Sequence, residues 1–242
     1  MANEKTAVRI NKYLAQCGIC SRRDADTMIE RGSVTVNGVT ALPGMKVTDE
    51  DDIKVNGRPV IERDRNVVLA YYKPVGVVCT ERDRHAKVKI QDNLKYPIRL
   101  TYAGRLDKDS EGLLLMTNDG DLIDAMMRGG NRHEKEYLVK VNKPLTEEAI
   151  EHMRNGVWLK ELELKTRACE ITRIGAQTMQ MVLTQGVNRQ IRRMCRAVGF
   201  EVKKIKRTRV MTVKLAELKP GEFRELTEEE KDELYMACSL RS

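Results

Sequence analysis

Long apolar runs and histidines are both scarce in this sequence, and each shortage argues against some classes of protein. No apolar run approaches the roughly 20 residues that a helix needs to cross a membrane, so we expect no membrane-spanning segment. The three histidines, His85, His133 and His152, lie in unrelated contexts without metal-ligand spacing, which favours surface roles over a catalytic triad or metal site. No glycine-rich loop follows a strand and opens a helix, so we expect no nucleotide cofactor.

The cysteines do not form a zinc-binding set. Cys17 and Cys20 form a single CxxC, without the second CxxC or the paired histidines that complete a tetrahedral site. Cys17 also falls on the apolar stripe of a predicted helix, so we interpret it as a packing residue. Because the six cysteines are irregularly spaced and no apolar segment opens the chain, we expect reduced thiols and a cytoplasmic protein.

Positive charge is concentrated in one part of the chain. The 242 residues carry a formal net charge of +8. Residues 1–62 hold nine basic and nine acidic side chains, whereas residues 186–210 hold nine basic residues against Glu201 alone. A local excess of this kind predicts a surface for phosphate groups. The alternative is a solvated helix face, which is the commoner origin of a basic run.

The first sixty residues predict a small α+β module. Apolar residues from Ile10 to Cys17 follow helical spacing, and Ser21 with Asp24 predicts the start of a second helix. Asn37-Gly38 and Asn56-Gly57 then predict two tight hairpins. Basic residues off the apolar stripes predict a face for backbone phosphates; they include Arg9, Lys12, Arg22 and Arg23.

Residues 62–66 are polar and charged and form the natural linker to a larger second part. Short strands and helices alternate there to the C-terminus. We predict strands at 67–72, 177–183 and 202–215, and helices capped by Asp121, over 146–155 and from Thr227.

An arginine-rich helix is predicted after Asn188. Ile191, Met194, Cys195 and Val198 repeat at the spacing of one apolar face. Four arginines follow the same spacing about 200° around the helix; they are Arg189, Arg192, Arg193 and Arg196. No acidic residue interrupts residues 188–200, which weakens the solvated-face alternative because such faces usually mix charges. Basic residues continue along the next strand and include Lys206 and Arg207.

Asp107 is the strongest single candidate for chemistry. It lies in the stretch GRLDKDSEG, directly before the apolar block of residues 113–116. A carboxylate in this place is either a structural cap or a reactive group that its surroundings tune. If the chain is an enzyme, it acts on nucleic acid without a metal or a cofactor, and Asp107 is its best reactive group.

Five segments resemble known RNA-directed proteins. Residues 10–38 follow the pattern IxKYLAxxGxxSRRxAxxxIxxGxVxVNG and resemble the S4 RNA-binding domain. The segments YYKPVG, GRLDKDSEGLLLMTNDGDL, KEYLV and QGVNRQIRRMC, in that order, resemble the motifs of RNA pseudouridine synthases. Together they indicate the RsuA/RluB/RluF group, and the segment KRTRVMTVKL indicates the RluF branch that acts on 23S rRNA.

The resemblance implies an α+β chain with an S4-like domain at 1–62 and a synthase domain at 63–242, whose mixed, mainly antiparallel sheet is flanked by helices. It implies uridine isomerisation in ribosomal RNA without a cofactor. Whether a tRNA is also a substrate stays open, and we expect a monomer. Asp107 would be the catalytic aspartate, Tyr137 would stack on the target base, and Arg192 would pair with the aspartate. Arg105 would displace the uridine from its helix, and Ile205 would lie beside the base. A base must leave its stack for this chemistry, at a cost of a few kcal/mol.

Three alternatives stay open at this point. The carboxylate could attack C1′ of the ribose or take the C2′ proton toward a glycal. The chain could instead be a non-catalytic RNA-binding or ribosome-assembly protein of the same fold. A weaker alternative is a DNA-binding protein that places the arginine helix in a groove, against which the scarcity of Asn and Gln on that face argues.

Overall fold

The computed structural model describes residues 7–60, 66–80, 88–128, 130 and 132–241. The predicted linker at 62–66 falls almost wholly outside this part of the chain. The chain forms two compact units, one from residues 1–67 with 96–101 and 117–121, the other from 68–95, 102–116 and 122–242. In the described ranges, no helix is both long enough and apolar enough to span a membrane.

The first unit has a short strand, two helices and then further short antiparallel strands. Its elements are β1 (Val8–Arg9), α1 (Ile10–Gln16), α2 (Arg22–Glu30), β2 (Val34–Val36), β3 (Val39–Thr40), β4 (Lys46–Val47), β5 (Ile53–Val55) and β6 (Arg58–Pro59). β1 pairs with β4, and the other strands lie in the order β3-β2-β5-β6. The predicted α+β module is therefore confirmed.

Individual residues explain where α2 begins and where the chain turns between strands. The Ser21 hydroxyl accepts the backbone N–H of Asp24 at 3.1 Å and caps α2 as predicted. Asn37 and Asn56 adopt positive φ, as the predicted Asn-Gly hairpin turns require. Apolar residues of both helices and of β2 and β5 then share one core, which includes Ile10, Leu14 and Val34.

The elements after β6 belong wholly or mostly to the second unit. They are β7 (Val68–Lys73), α3 (Ile90–Asn93), β8 (Thr101–Ala103), β9 (Glu111–Thr117), α4 (Gly120–Met127), β10 (Lys135–Val141), α5 (Glu147–Arg154), β11 (Trp158–Leu159), a 3-10 turn (Lys160–Leu162), β12 (Leu164–Lys165), β13 (Glu170–Gly175), β14 (Thr178–Leu183), α6 (Gln190–Ala197), β15 (Val202–Val210), β16 (Val213–Lys214), β17 (Phe223–Glu225) and α7 (Glu228–Ala237).

A mixed sheet is the frame of this unit. Its order is β13-β14-β10-β15-β9-β7-β17, with β16 paired to β15 and β8 to β9. β15 runs parallel to β9, whereas the β10 pairings with β14 and β15 are antiparallel. The predicted mixed, mainly antiparallel sheet is confirmed. Two apolar clusters pack against it, one around β7 and β9, the other around α5, α6 and β14.

Two predicted boundaries are wrong. The strand expected over 202–215 ends at Val210, because Met211 has a φ of 53° and turns the chain back into β16. Asp121 does not cap α4; its own N–H donates to the Asp119 carboxylate at 2.9 Å, so Asp119 holds the capping position. By contrast, α5 and α7 lie where the sequence predicted helices, and Thr146 and Thr227 cap them.

Candidate active site

A cavity of about 730 Å³ opens in the second unit where β8, β10, β15 and the start of α6 approach one another. Asp107, Tyr137, Arg192 and Ile205 all line it. Residues that lie far apart in the sequence therefore meet in one place. A cleft of this size is in the range that holds small ligands.

Asp107 lies in the turn between β8 and β9. The N–H of Ser110 donates to the Asp107 carbonyl at 3.1 Å, which closes the turn. The N–H of Gly76, in the YYKPVG segment, donates to the carbonyl of Lys108 at 2.7 Å and ties a second loop to it. The Asp107 side chain is 35% exposed. Asp107 therefore faces the cavity and is not enclosed in the core.

The cation beside Asp107 is Arg189. Its Nη1 lies 4.0 Å from Oδ2 of Asp107. Arg192, which we expected in this place, pairs instead with Asp109: its Nε lies 3.3 Å from Oδ2 and its Nη2 donates to the Asp109 carbonyl at 2.9 Å. The predicted Arg192–Asp107 pair is thus corrected to Arg189–Asp107. The reason is that Asp109, two residues further along the same turn, faces the helix.

Asp109 pairs with both arginines near Asp107, which are Arg189 and Arg192. Arg189 donates to both of its carboxylate oxygens, at 3.2 and 2.8 Å. Burial alone would raise the pKa of Asp109, but the hydrogen bonds from Arg189 and the nearby charge of Arg192 outweigh it and lower the pKa. Asp109 is therefore a fixed anion between two guanidinium groups.

Backbone geometry at the start of α6 places Arg189 there. Arg189 precedes the helix in the left-handed conformation, with φ 51° and ψ 34°. The Gln190 side chain accepts the N–H of Val187 at 3.1 Å and braces the loop before it. Arg189 is therefore not on the predicted helical stripe. Its departure from helical geometry turns it toward Asp107 and Asp109.

Tyr137 and Ile205 supply the uncharged part of the cavity. On adjacent antiparallel strands, Val139 pairs with Ile205 and Tyr137 pairs with Arg207. Since side chains two residues apart share a face of a strand, Tyr137 and Ile205 lie on the same face. Ile205 is buried, and Tyr137 is half-buried against the same apolar cluster. An aromatic ring beside an aliphatic side chain suits a planar base.

Arg207 is a structural residue in this geometry, which corrects the prediction that it contacts phosphate. It is buried, and it donates to the carbonyls of Leu113 at 2.7 Å and Arg105 at 3.2 Å. It thereby ties β15 to both sides of the Asp107 turn. The parallel pairing of Arg207 with Gly112 is close, because a Cβ at Gly112 would lie 2.3 Å from the Arg207 carbonyl oxygen.

The other predicted binding residues of this unit differ in what they contact. Arg105 is exposed and lines the cavity. Arg193 and Arg196 both pair with Glu161, Arg196 at 3.6 Å, so an acid from another element meets the stripe that we expected to be free of acids. The ammonium of Lys206 lies 5.4 Å from the ring centre of Tyr72.

The four predicted binding residues of the first unit do not line this cavity. Arg9 ends β1, Lys12 lies on α1, and Arg22 and Arg23 form the first turn of α2. Arg9 and Arg23 are exposed, while Lys12 and Arg22 are half-buried.

Three basic residues in or near the site had no catalytic or binding role in the sequence-based prediction. Lys73 is buried and donates to the carbonyls of Pro74 at 2.8 Å and Val77 at 3.0 Å. Burial lowers its pKa to about 8. Lys135 and His133 line the cavity, and burial lowers the pKa of Lys135 to about 8 and lowers that of His133. The motifs YYKPVG and KEYLV contain both lysines, but neither motif alone indicates that they are buried.

The histidine prediction has a mixed outcome. His152 is exposed in the last turn of α5, as expected. The surface position expected for His133 is wrong, because it is half-buried beside the carbonyl of Ala125 at 3.2 Å. His85 lies outside the described residues. Across the described part of the chain, no three His, Cys, Asp or Glu side chains group closely enough to hold a metal ion.

The described arrangement offers three chemical functions. Asp107 is an anion that can act as a nucleophile or a base. Arg189 and Arg192 can stabilise negative charge near it, because guanidinium groups bind oxyanions in a fixed geometry. Tyr137 and Ile205 form an apolar place for a flat ring. This combination fits a reaction at the sugar of a nucleotide whose base is held separately.

Comparison with known proteins identifies both parts of the chain. The RNA pseudouridylate synthase family profile matches residues 67–197, and the S4 domain profile matches residues 8–53. The dual-specificity RNA pseudouridine synthase RluF of Escherichia coli K12 is 46% identical over 95% of this chain and 79% of its own. Ribosomal large subunit pseudouridine synthase B of Bacillus subtilis is 37% identical over 92% of this chain and 93% of its own.

A solved structure gives the same result at the level of the fold. The crystal structure of a pseudouridylate synthase superposes with a TM-score of 0.69 at 27% identity, over 94% of this chain and 99% of its own. The two domains predicted from the sequence agree with these comparisons. The chain therefore belongs to the RNA pseudouridylate synthase family and carries an N-terminal S4 domain.

Proposed function

We propose that this protein converts one uridine of ribosomal RNA, in the 23S molecule, to pseudouridine. The observation that carries the proposal is the Asp107 carboxylate at the cavity, 4.0 Å from the Arg189 guanidinium and in the same cavity as Tyr137 and Ile205. The reaction breaks the N1–C1′ bond, rotates the uracil and forms a C5–C1′ bond; C5 then loses its proton and N1 gains one. Atoms and electrons balance within the nucleotide, so the step requires no redox cofactor.

Asp107 acts on the ribose in this proposal. As an anion it attacks C1′, or it takes the C2′ proton so that a glycal forms; both routes detach uracil and leave it free to turn. Its partial exposure to the cavity gives either ribose atom access to it. Arg189 lies 4.0 Å from Asp107, where its charge can stabilise negative charge on the reacting groups, and Arg192 reaches the same loop through Asp109.

Tyr137, Ile205 and Arg105 hold the displaced nucleotide. A uracil removed from its helix loses stacking, and the Tyr137 ring replaces part of it. Ile205 packs beside the base, and the exposed Arg105 at the edge of the cavity occupies the space that the uridine leaves in the RNA. Arg193, Arg196 and Lys206 contribute charge for the phosphate backbone.

The N-terminal domain supplies a second contact with RNA. We place the boundary between residues 62 and 63, with an S4-like domain at 1–62 and the catalytic domain at 63–242. Arg9, Lys12, Arg22 and Arg23 are the proposed phosphate contacts of the first domain, two of them exposed. S4-like recognition of structured RNA depends mainly on shape and phosphate positions. We further propose that the protein acts as a monomer in the cytoplasm.

The choice of substrate rests on the names of relatives. The Bacillus subtilis relative is named for the ribosomal large subunit, and the Escherichia coli relative is named dual-specificity. These names support 23S rRNA as the main substrate and make a tRNA the natural second candidate.

Pseudouridine mapping tests the proposal. RNA from cells with and without the gene is probed chemically, with separate analysis of 23S rRNA, 16S rRNA and tRNA. We expect one 23S site to be lost without the gene, and purified protein to restore it without added cofactor. If all 23S sites persist without the gene, the proposed substrate is wrong.

A further inference from the structure

Trp158 is the one tryptophan of the sequence, and 54% of its surface is exposed. It lies on β11, which forms a two-stranded hairpin with β12. Nothing in the proposed catalytic mechanism uses this residue. A large aromatic ring held in solvent is the usual mark of a contact surface when charged groups surround it.

The hairpin holds the ring in a fixed position. Trp158 pairs with Lys165, and Leu159 pairs with Leu164. Since paired residues point to the same face, Trp158 and Lys165 form the outer face and the two leucines the inner face. Leu159 is buried in the cluster beneath α6, and Leu164 packs against that cluster.

The base of the hairpin is tightly anchored. Val157 and Thr166 exchange two hydrogen bonds of 2.9 Å, one of them through the Thr166 hydroxyl. Gly156 has a φ of 82°, and a Cβ there would lie 2.2 Å from the Thr166 carbonyl oxygen. The ring therefore stands on a rigid support and loses little conformational entropy when a ligand covers it.

Basic side chains lie around this face, together with the exposed Glu161 and Glu163 of the hairpin turn. Glu161, in the turn of the hairpin, pairs with Arg193 and Arg196 of α6, which fixes the hairpin beside the arginine helix. The Arg196 side chain keeps 77% of its surface exposed despite this pair. Lys165 lies on the same outer face as the ring, and Lys160, two residues after Trp158, is exposed.

The arginine helix connects this face to Asp107. Arg189 precedes α6 and lies 4.0 Å from Asp107, while Arg196 lies in the last turn. The eight residues of α6 span about 12 Å. That distance corresponds to roughly three to four nucleotides of a stacked RNA strand, at about 3.4 Å of rise per nucleotide.

We propose that Trp158 is a stacking platform for an unpaired base of the substrate RNA, a few nucleotides away from the target uridine. This proposal rests on the proposed function, because it takes RNA as the substrate. An aromatic face accepts any base, while the adjacent Lys165 and Arg196 attract the phosphates on either side. The surface thus adds affinity for RNA that is single-stranded beside the target.

Tryptophan fluorescence tests this platform directly, because all tryptophan emission of the full chain comes from Trp158. The probes are a twelve-nucleotide oligoadenylate and a blunt RNA duplex of equal length. We expect oligoadenylate to quench the emission and the duplex to leave it nearly unchanged. Emission that stays constant up to about 100 µM oligoadenylate, the weak limit of non-specific affinities, overturns the proposal.

Substitutions of Trp158 distinguish base stacking from general electrostatic attraction of RNA. Trp158→Ala should weaken oligoadenylate binding by about fivefold to a hundredfold, the equivalent of one lost base stack, and Trp158→Phe by less. The slope of affinity against salt should stay the same, because no phosphate contact is removed. Ile174→Ala is the matched control, since Ile174 is 56% exposed on β13; its affinity should not change. Equal affinities of Trp158→Ala and wild type contradict the proposal.

Two further measurements test whether Trp158 binds a second copy of the chain, and whether the platform and the proposed function fail independently. Emission that changes with protein concentration alone, together with a doubled mass that Trp158→Ala abolishes, would assign the ring to a second copy of the chain and overturn the proposal. Uridine conversion is measured on the same wild-type protein. Conversion without quenching contradicts only the platform, whereas quenching without conversion contradicts only the proposed function.

Discussion

Arg189 donates to both carboxylate oxygens of Asp109, at 3.2 and 2.8 Å. The same guanidinium lies 4.0 Å from Asp107. Asp109 therefore determines how closely the cation approaches the proposed catalytic carboxylate. If Asp109 lost its charge, Arg189 would be free to move toward Asp107 or toward an RNA phosphate.

Asp109→Asn tests whether Asp109 positions Arg189 and Arg192. The turnover rate should fall by about tenfold to a hundredfold, because displacement of a group by about 1 Å costs that much. RNA affinity should stay the same or increase, because a negative charge near the phosphates is removed. Single-turnover conversion and filter binding measure the two effects, and Asp109→Glu should recover part of the rate.

The control is Asp232→Asn, which removes another exposed, ion-paired carboxylate, on α7. This control should change neither the turnover rate nor the RNA affinity. A normal turnover rate in Asp109→Asn, or a loss of RNA affinity with an unchanged rate, would contradict a positioning role.

Gly112→Ala should destabilise the second unit strongly. Gly112 has a φ of 112°, and the added Cβ would lie 2.3 Å from the Arg207 carbonyl oxygen, so β9 and β15 would have to separate. We expect a loss of at least about 3 kcal/mol in the free energy of unfolding, measured by urea denaturation. In Gly175→Ala, where no atom lies within 4 Å of the new Cβ, stability should stay close to wild type. Similar stabilities of the two variants would refute the close approach of the strands.

Lys73 should make stability depend on pH in the alkaline range. Its pKa is about 8 in the folded chain, against an ordinary value of 10.5. Between these values the unfolded chain binds the additional proton, so the free energy of unfolding rises with pH. From pH 8 to pH 9, wild type should gain about 1 kcal/mol relative to Lys73→Met. Urea unfolding at both pH values measures the difference, and a constant difference would show that Lys73 titrates at its ordinary pKa.

Helix α6 illustrates what the sequence could predict and what it could not. Apolar spacing correctly placed Ile191, Met194 and Cys195 in the core. It placed Arg189 on the helix as well, because periodicity assumes helical geometry at every position. The left-handed conformation of Arg189 breaks that assumption and turns its side chain toward Asp107 and Asp109.

The contacts of charged side chains were the hardest to predict where the partners come from distant parts of the chain. A stripe of arginines without local acids suggested a free cationic face, yet Glu161 and Asp109 reach it from other elements. The sequence predicted Arg207 as a surface residue of a basic strand. Parallel pairing of β15 with β9 instead buries Arg207 against backbone carbonyls. Such pairings depend on tertiary contacts, which a single sequence does not specify.

Asp107→Asn tests the central claim most directly. The variant keeps the size of the side chain and removes its charge, and it is incubated with 23S rRNA from cells that lack the gene, beside wild type and Asp232→Asn. We predict no pseudouridine above background in Asp107→Asn, RNA affinity within about twofold of wild type, and normal conversion in the control. Conversion by Asp107→Asn at the wild-type rate would contradict the assignment of Asp107 as the catalytic residue.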